Sequence, residues 1–239
     1  LQELQGEVRA LEPRILAHAN AKRRADQLTT LLRRLHEVET YRRAATEAQD
    51  RVESPDIAFQ DFSCTTQAHT LAHWEFQFEA QYRVEIEPGQ LNLTLRVINN
   101  DSNALQFTGA LHTYLAVDDI ALTELRGLDG LPEWDAVEDV HHVASSSLHF
   151  DGEFDRVYHA GDNSLHLQDG SSLLQIEQSP SWAHTVVWNP GAEKSVEMPD
   201  LPDDGFARML CVEAAQVFET VHLAPQEEWQ GWQRLRVVG

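Results

Sequence analysis

The sequence predicts a mainly β protein. An antiparallel β-sandwich fills residues 53–239, and a helical segment fills residues 1–52. Three observations carry this reading. Apolar residues in the first part recur at spacings of three and four, as on one side of a helix. From about residue 70 the period changes to two, the signature of half-buried strands. The short strand-like runs are then punctuated by Gly, Pro, Asn and Asp clusters, as antiparallel sandwiches require.

Taken in order, the helical stripe runs Leu1, Leu4, Val8, Leu11, Ile15, then Leu28, Leu31, Leu32, Leu35 and Val38. Pro13 divides it, since a proline inside a helix removes a hydrogen bond. Trp74, Phe76, Phe78, Tyr82, Val84 and Ile86 share one strand parity, and Leu91, Leu93, Leu95 and Val97 follow a PGQ turn. NNDSN at 99–103 marks the next reversal. FTGALHTYLAV at 107–117 reads as one strand, with Leu111, Thr113, Leu115 and Val117 on one parity and His112 and Tyr114 on the other. SLHLQ, SLLQIEQ, HTVVWN, ARMLCVEAAQVFETVHL and WQRLRVV complete the set of strands. GLDGLPEWD, DGEFD, AGDN, DGSS, NPGAE and PDLPDDG read as the turns between them.

Composition narrows the function. The net charge is −21, which disfavours nucleic-acid backbone as a partner. Residues 1–52 hold 10 of the 18 Lys and Arg and 8 of the 39 Asp and Glu, a net of +2. The remainder carries −23, so composition shifts near VESPD at 52–56. No apolar run reaches the roughly 18 residues of a membrane span, and the first residues lack the apolar core of a secretory signal. Two cysteines make no disulfide framework, so a reduced, cytoplasmic setting is expected. Among the 12 histidines, His141, His142, His149, His159 and His166 lie in acidic surroundings, but no HxH or HExxH spacing marks a metal site. No metal or cofactor is expected. The basic helical segment 1–50 would suit self-association, or packing on its own domain.

One ordered set of short motifs carries a resemblance. It comprises ALHTY at 110–114, the Asp119–Ile120 pair, GLDG at 127–130, GEFDRVY at 152–158, VVWNP at 186–190 with EKS at 193–195, and MLCVEA at 209–214. Over residues 70–239 the chain resembles the galactose mutarotase-like family, in its hexose-6-phosphate 1-epimerase branch. The resemblance implies a β-supersandwich that interconverts the α and β anomers of a hexose or hexose 6-phosphate. It implies His112 as general acid, Glu213 as general base and Asp155 as a carboxylate that helps hold the sugar hydroxyls; Trp188, which could stack on a sugar face or pack in the core, and Lys194, which could reach the cleft, complete the expected substrate-binding residues. It also implies that His112 and Glu213 face one cleft from opposite sides of a sugar-sized space, with Asp155 at the rim. The chemistry suits the residue types. Anomer exchange needs one group to take the C1 hydroxyl proton and another to protonate the ring oxygen, without metal or cofactor. A strand histidine is ordinarily a hydrogen-bonded core residue, and a mid-strand carboxylate costs desolvation unless it is used or paired.

The resemblance has a gap. An Arg-Gly-Gly motif with a nearby Cys-Trp-Pro, and a His-Gly-Phe-Ala-Arg motif, belong to the family's upstream block, and neither occurs here. The helical segment stands in their place, as a divergent N-terminus or through truncation, fusion or a frame error. Phosphate affinity should then be weak, because bidentate arginine contacts usually supply it. A non-catalytic member that binds sugar or protein is the alternative to an epimerase.

Overall fold

The structure, a computed structural model, describes residues 58–65, 74–145, 147–161, 163–199 and 201–238. All fall in one unit, Ile57–Gly239. The expected helical segment 1–52, and any self-association through it, lie outside the described residues.

Among those residues two seven-stranded antiparallel sheets form, as the period-two pattern predicts. One sheet has the order β1 (Ala58–Thr65), β2 (Phe78–Glu87), β3 (Gln90–Asn99), β14 (Glu228–Val237), β11 (Ser172–Gln178), β10 (Leu165–Asp169) and β6 (Glu124–Arg126). The other has the order β4 (Leu105–Leu111), β13 (Met209–Leu223), β12 (His184–Asn189), β9 (Phe154–Tyr158), β7 (Pro132–Asp135) and β8 (Val140–Val143). β5 (Tyr114–Ala116) also pairs with β13. One short helix, α1 (Gly191–Glu197), follows β12. No helix among the described residues is long and apolar enough to cross a membrane.

The core lies between the sheets. Leu210 and Val212 of β13, Val187 of β12 and Tyr158 of β9 meet Leu165, Leu167, Ile176 and Leu235 of the facing sheet. Since side chains alternate along a strand, the odd-numbered residues Cys211 and Glu213 of β13 must point the other way. A second cluster is centred on Trp182, which is fully buried and packs edge-on against Trp229 with ring centroids 4.5 Å apart. Gly231 makes room for it, because a Cβ there would lie 2.5 Å from the indole nitrogen.

The turn chemistry is visible in detail. Asn99, wholly buried, donates from its amide to the carbonyls of Asn103, Leu223 and Ala224, and accepts from the backbone N–H of Asp101. Pro88–Gly89 closes the β2–β3 hairpin with Gly89 at φ 72°.

Several boundaries differ from the sequence reading. The run 107–117 is two strands, not one, because Thr113 N–H donates to the Leu111 carbonyl at 2.8 Å and closes a γ-turn centred on His112. DGEFD and PEWD contribute strands β9 and β7 as well as turns, and NPGAE opens α1. His141 and His142 are exposed residues of β8. Short strands beside turn residues lack the length for period two to declare itself.

Candidate active site

The site is built across one sheet, on the face turned away from the core. Directly opposed residues on neighbouring antiparallel strands share a face. Asp155 of β9 opposes Trp188 of β12, Trp188 opposes Cys211 of β13, and Cys211 opposes Tyr114 of β5. The next row runs Trp134, Val157, Val186 and Glu213. Leu111 pairs with Ala214, so the following residue, His112, falls beside Glu213.

His112 Nδ1 lies 3.2 Å from Glu213 Oε1. Contact replaces the expected sugar-sized separation, for the reason just given: the two residues are neighbours across adjacent strands. Their environments differ. The His112 side chain is 50% exposed and that of Glu213 is 7% exposed. Burial, with the charge of Asp155 added, pushes the Glu213 carboxyl up to about 7. Burial pushes the His112 imidazole below its ordinary value, against a smaller opposing effect of Asp155. The two changes reverse the ordinary order of proton affinity, so the carboxyl holds a proton more tightly than the imidazole, and the contact offers a path between them.

The turn that carries His112 is held from beneath. Thr113 Oγ1 donates to Gln233 Oε1 at 2.6 Å, and the Gln233 amide donates to the Val212 carbonyl at 2.9 Å. Gln233 itself is wholly buried. The imidazole stacks on Tyr114, with centroids 4.8 Å apart and planes at 10°, and meets the edge of Trp188 at 5.9 Å. An aromatic surface therefore lies beside the acid–base pair, where a sugar's C–H face can rest.

Asp155 is half-buried, and burial raises its carboxyl while the nearby Lys194 ammonium opposes the rise. Lys194, exposed on α1, bonds Glu153 Oε1 at 2.5 Å. It thus bears on the site through the Asp155 field. α1 is anchored by Asn189, whose amide donates to the Phe206 and Met209 carbonyls while its Oδ1 accepts from Gly191 N–H. Gly191 has φ 66°, and a Cβ there would lie 2.5 Å from the Glu153 nitrogen, so no side chain fits. Arg156 points to the core side of β9, where it pairs with Asp135 at 3.0 Å and Glu133 at 3.4 Å.

All five residues expected from the sequence are therefore placed. His112, Glu213, Asp155 and Trp188 share one face, and Lys194 stands at its margin. Two neighbours were not singled out by sequence reasoning, Tyr114 and Cys211. The signal was available: each is two residues from a candidate on the same strand path, hence on the same face.

A family-level profile described as aldose 1-epimerase matches residues 51–236. The chain belongs to the aldose 1-epimerase family. Among curated proteins, one from Cenchrus ciliaris named "putative glucose-6-phosphate 1-epimerase" is 32% identical over 183 residues, covering 73% of this chain and 55% of that protein. One of the same name from Escherichia coli is 30% identical over 190 residues, covering 77% of this chain and 62% of that protein. The chain thus spans little more than half the length of these relatives. Among solved structures, one described as a "putative mutarotase" from Salmonella typhimurium superposes with a TM-score of 0.69 at 24% identity, over 77% of this chain and 62% of that one. That likeness is one of fold, and it gives this aldose 1-epimerase family member the mutarotase-like sandwich expected from its motifs.

Proposed function

We propose that the protein exchanges the α and β anomers of an aldose by acid–base ring opening. The observation that carries this is the 3.2 Å contact between His112 and Glu213 on the sheet face turned away from the core. Family membership supports the reaction class.

The chemistry follows from a pair that holds one proton. In the charged arrangement, Glu213 is carboxylate and His112 is imidazolium. Glu213 takes the C1 hydroxyl proton, the C1–O5 bond breaks, and His112 protonates O5. The products are the open aldehyde, a neutral Glu213 and a neutral His112. After rotation about C1–C2, the neutral pair runs the step in reverse on the other face: O5–H gives its proton to His112 as O5 attacks C1, and Glu213 returns a proton to the carbonyl oxygen. Proton count on the pair is unchanged by each half-reaction. Burial favours the neutral arrangement, and transfer along the 3.2 Å contact supplies the charged one. Asp155 accepts hydrogen bonds from sugar hydroxyls, and Trp188 and Tyr114 give the ring an apolar surface.

Glucose and glucose 6-phosphate are the substrates to compare. The curated relatives' names point to the phosphate ester. Here Lys194 and Arg156 are both engaged by carboxylates, so the phosphate should add little affinity. Polarimetry of freshly dissolved α-glucose and α-glucose 6-phosphate tests this. Mutarotation faster than the buffer blank for both sugars is expected. Rates equal to the blank, with the protein folded, would leave a sugar-binding role in place of catalysis.

A further inference from the structure

We propose that His112, Cys211 and Glu213 form a binding site for a thiophilic divalent cation, zinc above all, directly at the acid–base pair. Their ligand atoms, an imidazole nitrogen, the thiol sulfur and a carboxylate oxygen, all lie within 4.8 Å of one another. The His112–Glu213 pair is already at 3.2 Å. Atoms bound to one tetrahedral zinc lie roughly 3.4–3.6 Å apart, as bonds of about 2.0–2.3 Å require. The longest separation therefore needs to close by at most roughly 1.2–1.4 Å.

The architecture favours such a closure. Cys211 and Glu213 are alternate residues of one strand, so their side chains leave β13 in the same direction. His112 sits on a turn, where a small adjustment costs less than within a paired strand. Cys211 is wholly buried and Glu213 nearly so, while His112 is half exposed. The cation would have three protein ligands below and beside it and solvent above. That is the composition of an open zinc site, three side chains with a water in the fourth position.

The ligand types suit the cation: an imidazole nitrogen, a thiolate and a carboxylate are the groups that hold zinc, and it binds the last two deprotonated. Binding releases two protons to solvent, the thiol's and the one held by the pair. It also occupies the nitrogen and oxygen that anomer exchange needs, so the cation should inhibit in competition with sugar. That consequence rests on the proposed function; the binding does not.

The test uses the full chain and Cd2+, whose bond to a thiolate gives an ultraviolet charge-transfer band. The chain has two cysteines, so Cys64→Ser provides the background. One equivalent of Cd2+ should produce the band, Zn2+ should abolish it by displacement, and Cys211→Ser should remove it. His112→Ala and Glu213→Gln should each raise the Kd by on the order of tenfold or more, one of three ligands being lost. Circular dichroism checks that each variant is folded, and Glu213→Gln keeps the side-chain shape. Lack of a band at excess Cd2+, a band surviving Cys211→Ser, or affinity indifferent to both His112 and Glu213 would overturn the proposal. In a parallel assay Zn2+ should slow anomer exchange and glucose should protect. Cadmium binding as described in a chain without exchange activity would keep the metal site and remove the catalytic reading.

Discussion

Glu213→Gln should make the protein more stable at neutral and alkaline pH while abolishing proton abstraction. The Glu213 carboxyl titrates at about 7 in the folded protein, against an ordinary value of 4.5. Below pH 4.5 it is protonated whether the chain is folded or not, and its charge costs nothing. Between pH 4.5 and 7 the unfolded chain ionises first, so the native protein loses stability as pH rises. Above about pH 7 both states are ionised and the loss is constant. The two values lie about 2.5 pH units apart, and at 1.36 kcal/mol each this amounts to about 3 kcal/mol. The substituted amide carries no charge at any pH, and its own burial cost does not vary with pH. The stability of Glu213→Gln relative to wild type should therefore climb by about 3 kcal/mol from pH 4.5 to 7.5, then level off. For a unit of this size that corresponds to a relative Tm gain of roughly 6–12 °C. Urea unfolding at half-unit pH intervals measures it. A pH-independent difference, or one that moves against the variant above pH 4.5, would refute the reasoning. The second result would mean that a permanent imidazolium at His112 holds Glu213 as carboxylate.

Three further outcomes follow from the same geometry. The pair is active while it holds one proton, so kcat/KM for anomer exchange should be bell-shaped, with its alkaline limb near pH 7 and its acid limb below the ordinary histidine range; a rate that keeps rising through pH 8 would contradict this. Gly191→Ala should cost about 2 kcal/mol or more by thermal unfolding, because φ 66° strains any side chain and its Cβ would meet the Glu153 backbone at 2.5 Å; an unchanged Tm would contradict it. Gln233→Leu should cost about 1–3 kcal/mol by leaving the Val212 carbonyl unsatisfied, and should lower kcat because Thr113 no longer fixes the His112 turn; wild-type kcat would show that the turn holds without it.

The sandwich was legible in the sequence because its long strands alternate over enough residues to be read. SLLQIEQ and HTVVWN coincide with β11 and β12. Five strands escaped: β6, β7, β8 and β9 are three to five residues long, β7 and β9 beginning inside turn-like clusters, while the eight-residue β1 precedes the stretch in which period two is read. Of the site, the motif residues and their parities were readable. Two features were not. The γ-turn that splits 107–117 arises from a backbone bond between residues 111 and 113 and from Gln233, more than a hundred positions away. No local pattern encodes it. The second is the register between β4 and β13. It puts His112 in contact with Glu213, and no single strand holds that information.

The central claim is that His112 and Glu213 act as one proton-holding unit in anomer exchange. A double-mutant cycle tests it most directly. NMR saturation transfer between the α and β anomeric protons of glucose gives the exchange rate for wild type, His112→Ala, Glu213→Gln and the double variant. Each single change should lower the catalysed rate on the order of 10²–10⁴-fold, and the double variant should be no slower than the worse single one. Independent losses that multiply, or a single variant exchanging at the wild-type rate, would contradict the account.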